Sequence, residues 1–275
     1  MKKSTRKLKA QETLNIIDSG VYRNLNNRII DLEDDVRNAK ENSKYYTSEA
    51  LDVIINDLSL NENYSTAIEV KHEDSISSII RLNEEGEKNI MCLNFASAKN
   101  PGGGFLNGAL AQEESLAVSS SLYACQMNCF DFYQTHRDMK SCVYTDGMIY
   151  SPNVPVFRNN KGDLLESYIN VDFVTSAAVN TGVVIRKELE KEMLIPNLML
   201  KRIEKVLSLC VKNDNRTLIL GAWGCGVFQN DPNVMAQLFY EQLSGKFKNQ
   251  FKRVVFAIYS RNEKFINAFQ NVFER

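Results

Sequence analysis

The chain has few of the residues on which several classes of enzyme depend. Its 275 residues include only two histidines, His72 and His136, and neither lies in a pattern typical of a histidine-based nucleophilic triad. The six cysteines are scattered, and Cys125 and Cys129 lack the further pair of ligands that a structural zinc site requires. We therefore expect no bound metal and no cofactor.

Long apolar runs and an excess of one charge are also absent. No run of 18 apolar residues occurs, and the basic N-terminal stretch is followed by no apolar signal segment, so neither membrane insertion nor secretion is expected. The formal net charge of −1 gives no general electrostatic reason for binding nucleic acid. Scattered cysteines fit a reducing compartment. We expect a cytoplasmic monomer.

The remaining composition is that of an ordinary globular domain, with 44% hydrophobic and 24% charged residues. Apolar strand patterns alternate with helical ones, and no repeat or linker divides the chain. The alternation predicts the α/β class, as a three-layer α/β/α sandwich. We expect one domain over residues 1–275, with residues 1–60 as an N-terminal, partly helical extension packed on it.

Hydrophobic periodicity locates the main elements. Strands are predicted at 29–32, 66–70, 89–95, 171–178, 217–220 and 253–259. Helices are predicted at 1–19, 48–58, 74–85, from about 113, and at 196–211, 231–243 and 262–273. Residues 33–35 are interpreted as a solvated turn, and residues 130–162 as a segment with short strands at 144–150 and 154–157 that could cover the site.

Two glycine-rich loops each follow an apolar strand. One contains Gly102, Gly103 and Gly104, and the other spans residues 221–226. Glycine has no β-carbon, so backbone N–H groups can come close to a ligand, and such a turn is suited to holding phosphate. Neither loop has the lysine of a P-loop or the GxGxxG pattern of a dinucleotide-binding fold. The loops therefore predict a diphosphate held by neutral backbone.

A polar, doubly acidic step, Gln112-Glu113-Glu114, comes after the first of these loops, at the start of a predicted helix. Carboxylates are the groups that acid–base chemistry on a sugar requires. Adjacent side chains on a helix diverge by about 100°. The two carboxylates are therefore not expected to form a symmetric pair of acid and nucleophile.

These stretches together resemble a known family. Residues 93–98 and 100–104, followed after a seven-residue spacer by residues 112–114, are similar to the GGG-x(6–8)-QEE signature of poly(ADP-ribose) glycohydrolases in their short bacterial-type form. Residues 220–228 resemble the second ligand loop of that family. The similarity runs from about Gln11 to the C-terminus and implies a macrodomain-like fold.

The resemblance implies a role for each matching residue. Glu114 would protonate the departing 2′-oxygen and then deprotonate the attacking water, Glu113 would hold ribose hydroxyls, and Gln112 would orient the turn. The other implied substrate-binding residues are Asn100, Gly102, Gly103 and Gly104 in the first loop, Gly224, Cys225, Gly226 and Val227 around the diphosphate, and Phe228 stacked beside the substrate.

The residue that orders the distal ribose remains open. Asn100 is the first candidate, because an asparagine ahead of the glycines has this role in macrodomains. Animal glycohydrolases place theirs further from the glycines, where this chain has Ala98. Asn94 and Asn180 are the other candidates.

The implied activity is hydrolysis of the ribose–ribose O-glycosidic bond of poly(ADP-ribose), with ADP-ribose as product. The large accessory regions of animal enzymes are absent, so cleavage is expected at chain ends. One alternative is hydrolysis of another ADP-ribosyl linkage, on an ADP-ribosylated protein or a nucleic acid. Another is a non-catalytic ADP-ribose reader, although such a protein has little use for two carboxylates beside a diphosphate that they repel.

Overall fold

The computed structural model describes residues 2–274, which form helices around a mixed sheet. The strands are β1 (Val21–Arg23), β2 (Ile29–Asp31), β3 (Lys44–Tyr46), β4 (Ala67–Lys71), β5 (Ile90–Phe95), β6 (Met148–Arg158), β7 (Leu164–Ser176), β8 (Thr217–Leu220) and β9 (Arg253–Ala257). The helices are α1 (Lys3–Ser19), α2 (Glu33–Asn42), α3 (Ser48–Asp57), α4 (Ser75–Glu84), α5 (Gln112–Ser119), α6 (Leu122–Asn128), α7 (Phe130–Asp138), α8 (Thr181–Lys187), α9 (Ile195–Lys212), α10 (Pro232–Ser244) and α11 (Lys264–Phe273). Short 3₁₀ turns span Phe105–Asn107 and Leu189–Leu194.

The main sheet has seven strands in the order β3-β6-β7-β5-β8-β9-β4, and β1 pairs with β2 in a separate hairpin. Neighbours are parallel from β7 to β4, whereas β3 and β6 run antiparallel to their neighbours. Helices α3, α9, α10 and α11 pack on one face and α2, α4, α5 and α6 on the other. The predicted α/β/α sandwich is confirmed.

The central strand β5 illustrates why the sheet could be predicted. Met91 and Leu93 face one helical layer, and Ile90 and Cys92 face the other. A strand covered on both faces needs apolar side chains at every position instead of alternating ones. The continuous apolar run therefore marks the middle of a largely parallel sheet.

Several helix ends follow from local capping. Asp74 accepts a hydrogen bond from the Ser77 N–H at 2.9 Å and begins α4, and Asp231 caps α10 in the same way. Gly20 ends α1 in the left-handed region, with φ of 67°. These starts and this stop agree with the sequence prediction.

Two local interpretations were wrong. Residues 33–35 form the first turn of α2 instead of a solvated turn, because three acidic side chains favour the positive end of a helix dipole. Residues 130–138 form α7, and residues 148–158 form one long buried strand with a register shift instead of two short strands. That strand lies between β3 and β7 in the sheet, and only its end reaches the cleft, at Arg158.

The N-terminal part of the chain is fixed to the sheet domain at several points. Residues 44–46 supply the edge strand β3. Helix α1 packs beside the first glycine loop, where Arg6 Nε donates to the carbonyl of Gly108 at 2.8 Å and Thr13 Oγ1 donates to the carbonyl of Val118 at 2.5 Å. Among residues 2–274, no helix is long and apolar enough to cross a bilayer.

Candidate active site

Both glycine-rich loops line one cleft of about 1120 Å³. The first loop, residues 100–104, follows β5, and the second loop, residues 221–228, follows β8. These strands are parallel neighbours, so their carboxyl ends meet at one edge of the sheet. Ligands of open α/β sheets bind at this edge. The cleft also contains Glu113 and Glu114. The sequence alone indicates that these residues lie near the first loop, but it does not indicate that they lie near the second.

The first loop runs directly against the two carboxylates. Gly102 and Gly103 have φ of 64° and 59°, which side chains rarely allow. A β-carbon on Gly103 would overlap Glu114 Oε1 and would lie 3.1 Å from Glu113 Oε2. Glycine is therefore required here by both backbone conformation and contact.

Two N–H groups of this loop, those of Gly103 and Gly104, donate to protein acceptors. The Gly103 N–H donates to the Asn100 carbonyl at 3.0 Å, and the Gly104 N–H donates to Glu114 Oε1 at 2.9 Å. This differs from the expectation that the bare turn would hold phosphate. The left-handed glycines turn the chain so that its donors point inward and fix the carboxylate.

Glu113 is almost completely buried, with 4% of its surface exposed. Its Oε2 accepts from the Ser97 N–H at 2.7 Å, and its Oε1 accepts from the Gln126 amide at 3.0 Å and the Asn94 amide at 3.4 Å. Burial raises the pKa of Glu113 to about 8, the hydrogen bond from Ser97 opposes this rise, and the nearby Glu114 charge adds to it.

Glu114 has a more open environment. It lines the cleft and is only partly buried. One carboxylate oxygen, Oε1, accepts a hydrogen bond from the Gly104 N–H, while Oε2 has no hydrogen-bond partner within residues 2–274. A carboxylate that is fixed through one oxygen can exchange a proton with a bound ligand through the other.

Gln112 connects the start of α5 to the end of β5. Its Oε1 accepts from the Phe95 N–H at 2.9 Å, and its Nε2 donates to the Leu93 carbonyl at 2.8 Å and to Ser75 Oγ at 3.1 Å. These three hydrogen bonds hold the first turn of α5, and therefore both glutamates, against the edge of the sheet.

The second loop presents backbone donors to the cleft. The N–H groups of Gly224, Gly226, Val227 and Phe228 have no acceptor within residues 2–274. A β-carbon on Gly224, whose φ is 74°, would lie 2.6 Å from the Ala178 β-carbon. Successive unpaired N–H groups in a turn form a concave anion site.

Two other residues of this loop have different surroundings. Cys225 is buried, and its N–H donates to the Ala222 carbonyl at 3.1 Å, so its backbone donor is already used. Burial raises the pKa of its thiol to about 12. Phe228 lines the cleft, with its ring 6.4 Å from that of Tyr144.

The three candidate asparagines lie in different places. Asn100 is exposed and lines the cleft. Asn94 is buried and donates to Glu113 and to Thr175. Asn180 caps α8 by accepting from the Val183 N–H at 3.3 Å. Of the three, Asn100 has the side chain that can reach a ligand in the cleft.

Sequence reasoning missed several residues of the site. Gln126 lies on α6, outside every motif, and only the packing of α6 brings its amide to Glu113. Arg6 of α1, Arg158 at the end of β6 and Arg261 after β9 also line the cleft. No sequence motif marks a single arginine in a distant segment as part of the lining of a cleft.

The histidines and cysteines lie in no chemical cluster. His136 is buried between the Phe132 carbonyl and Thr145 Oγ1, and burial lowers its pKa to about 4. The six cysteines are free thiols. Within residues 2–274, no three His, Cys, Asp or Glu side chains are grouped to hold a metal ion.

Comparison with known families identifies the family of the chain. Residues 10–159 match the family model of the microbial-type PARG catalytic domain, where PARG denotes poly(ADP-ribose) glycohydrolase. The chain belongs to this family. The resemblance stated from the sequence is thereby confirmed, and the PARG signature is the segment that forms the first loop and the start of α5.

Solved PARG structures match nearly the whole chain. Poly(ADP-ribose) glycohydrolase from Thermomonospora curvata is 38% identical, with a TM-score of 0.94, over 98% of this chain and 100% of that one. The same enzyme bound to the inhibitor ADP-HPD gives a TM-score of 0.91 at 38% identity, over 98% and 99%. PARG from Deinococcus radiodurans in complex with ADP-ribose is 35% identical, with a TM-score of 0.83, over 87% and 97%. No curated protein matches the chain.

Gly103→Ala should displace the carboxylate of Glu114, because the added methyl group would overlap Oε1. We expect kcat on poly(ADP-ribose) to fall about 10²-fold, the scale of lost general acid catalysis. Gly86→Ala is the matched control, since Gly86 also has a positive φ, 81°, but has no atom within 4 Å of an added β-carbon. Equal activity of the two variants would contradict the role of Gly103.

The high pKa of Glu113 predicts a pH-dependent stability. Between the ordinary glutamate pKa of about 4.3 and the folded value of about 8, the native state binds more protons than the unfolded state. The free energy of unfolding should therefore decrease as pH rises through this window, by at most about 1.4 kcal/mol per pH unit. Urea denaturation of wild type and Glu113→Gln at several pH values tests this. A stability difference that stays constant with pH would show that Glu113 ionises normally in the folded protein.

Proposed function

We propose that this protein hydrolyses the ribose–ribose O-glycosidic bond of poly(ADP-ribose) from chain ends and releases ADP-ribose. The observation that carries the proposal is that Glu114 and the second loop line the same cleft. Glu114 has one oxygen without a hydrogen-bond partner in the described residues, which suits proton transfer. The second loop has N–H groups without acceptors in the same residues, which suit a diphosphate.

The terminal ADP-ribosyl unit lies with its diphosphate on the N–H groups of Gly224, Gly226 and Val227. This arrangement needs no basic side chain inside the loop, because backbone donors in a concave turn already attract anions. Phe228 packs beside the same unit, and Asn100 binds the distal ribose from the first loop. The distal ribose then reaches the two glutamates.

The two glutamates have different roles because their environments differ. Glu114 protonates the leaving 2′-oxygen of the adjacent unit, and its carboxylate then removes a proton from the water that attacks the anomeric carbon. Glu113, held by three N–H donors, binds ribose hydroxyls and fixes the sugar. Its position one residue earlier on α5 turns it away from the leaving group. The proton transfers need no metal.

A cleft of about 1120 Å³ has room for one ADP-ribosyl unit, since it slightly exceeds the roughly 300–1,000 Å³ of common small-molecule pockets. Six free thiols support a reducing compartment, and we propose a cytoplasmic monomer. Because β3 belongs to the main sheet and Leu51 and Ile54 of α3 belong to its core, we propose one domain over residues 1–275.

Glu114→Gln should abolish release of ADP-ribose from poly(ADP-ribose), with a loss of at least about 10²-fold in kcat, because the amide cannot donate and take back the proton. Binding of ADP-ribose should persist, since the second loop is unchanged. Both are measured with EDTA present, by product chromatography and calorimetry. Glu241→Gln, on the exposed surface of α10, is the control.

The product profile tests the site of cleavage along the polymer. Attack at chain ends releases ADP-ribose from the first moments, without short oligomers, whereas internal attack releases oligomers early. Turnover of mono-ADP-ribosylated protein without turnover of polymer would assign the cleft to another ADP-ribosyl linkage. Binding without any turnover would make the protein a reader.

A further inference from the structure

Lys3 and Lys7 form a basic face of α1 beside Gly108, which follows the first loop. Lys3 and Lys7 are one helical turn apart, so both project from the same side of α1. Their side chains lie over Gly108: a β-carbon there would be 3.1 Å from Lys3 Cγ and 3.2 Å from Lys7 Cγ. Arg6, between them, lines the cleft and holds the Gly108 carbonyl.

The charges of these lysines are not neutralised by the fold. Lys3 and Lys7 are exposed and form no ion pair within residues 2–274, whereas Lys9 on the same helix pairs with Glu12 at 2.9 Å. The first turn of α1 contains no acidic residue. Positive charges near a helix N-terminus oppose the helix dipole. Helix stability therefore does not account for these two lysines.

The direction of the bound substrate brings polymer toward this face; this step rests on the proposed function. The diphosphate of the terminal unit lies on the second loop, and the bond to be cleaved lies at Glu114. The rest of the polymer must therefore leave the cleft on the side of the first loop. Gly108 lies beside this loop, because the N–H of the next residue, Ala109, donates to the Gly104 carbonyl at 3.1 Å. Every polymer unit carries a negatively charged diphosphate.

We propose that Lys3 and Lys7 bind the diphosphates of the polymer units that follow the scissile bond. The face holds the polyanionic chain while the terminal unit occupies the cleft. It raises affinity for long polymer and leaves affinity for free ADP-ribose unchanged, because ADP-ribose has nothing beyond the scissile position.

The test is binding of long poly(ADP-ribose) to the Glu114→Gln protein, with and without Lys3→Gln and Lys7→Gln together. The dissociation constant for polymer should rise about tenfold at 50 mM salt, and the slope of log affinity against log salt should become shallower by about 1.4, the value for two lost phosphate contacts. The dissociation constant for ADP-ribose should not change. The melting temperature should stay the same or rise, since two charges that oppose the dipole are removed.

Lys201→Gln with Lys248→Gln is the matched control. Both residues are exposed lysines without an ion pair within residues 2–274. Lys201 lies on α9, which packs on the face of the sheet opposite to α5, the helix that α1 contacts. This control should bind polymer like the parent protein. Equal polymer affinity of the Lys3 and Lys7 variant and the control would overturn the inference.

Two further outcomes distinguish specific polymer binding from general polyanion binding, and polymer binding from polymer hydrolysis. Lysine-dependent binding of single-stranded RNA as tight as that of poly(ADP-ribose) would assign the face to general polyanions and overturn the inference. Failure of the wild type to cleave polymer, with lysine-dependent polymer binding intact, would refute the proposed hydrolysis and leave the binding face established.

Discussion

The site depends on one constraint, which is the attachment of the start of α5 to the end of β5. Gln112 provides it with three hydrogen bonds, to Phe95, Leu93 and Ser75. Because the attachment acts on the residue just before the glutamates, both carboxylates are held at the sheet edge. A different angle of α5 would move them away from the cleft together.

The two glycine-rich loops use their backbone in opposite ways. In the first loop, the Gly104 N–H points inward and fixes Glu114, and the missing β-carbon of Gly103 makes room for the carboxylates. In the second loop, the N–H groups of residues such as Gly226 and Val227 have no acceptor in the described part of the chain. Glycine serves close packing in the first loop and exposed donors in the second. The two loops therefore give one cleft a fixed carboxylate on one side and backbone donors without acceptors on the other.

Burial distinguishes two chemically identical side chains. Glu113 is surrounded by protein and receives three N–H donors, while Glu114 keeps one oxygen open to the cleft. Desolvation makes ionisation costly at Glu113, and the hydrogen bonds offset part of that cost. Adjacent positions on a helix face different directions. A single residue step therefore suffices to bury Glu113 among its donors and to leave Glu114 partly exposed in the cleft.

The sequence by itself determined the elements and the motifs. Continuous apolar runs marked the central strands, capping residues such as Asp74 marked helix starts, and the glycines with residues 112–114 marked the site. These signals are local, because periodicity and capping act over a few residues. The long antiparallel strand β6 was misjudged as two short strands, because its continuity depends on pairing with β3 and β7, which are distant in the sequence.

Only the tertiary structure decided how the site is assembled. Packing brings Gln126 to Glu113, places Arg6 in the cleft and directs the N–H groups of the first loop toward Glu114. Each of these contacts joins residues from separate elements, and their distance in space depends on helix and strand packing instead of spacing in the chain. Residues that line the cleft, such as Glu114 and Gly226, could therefore be named from the sequence, whereas the surroundings that set their chemistry could not.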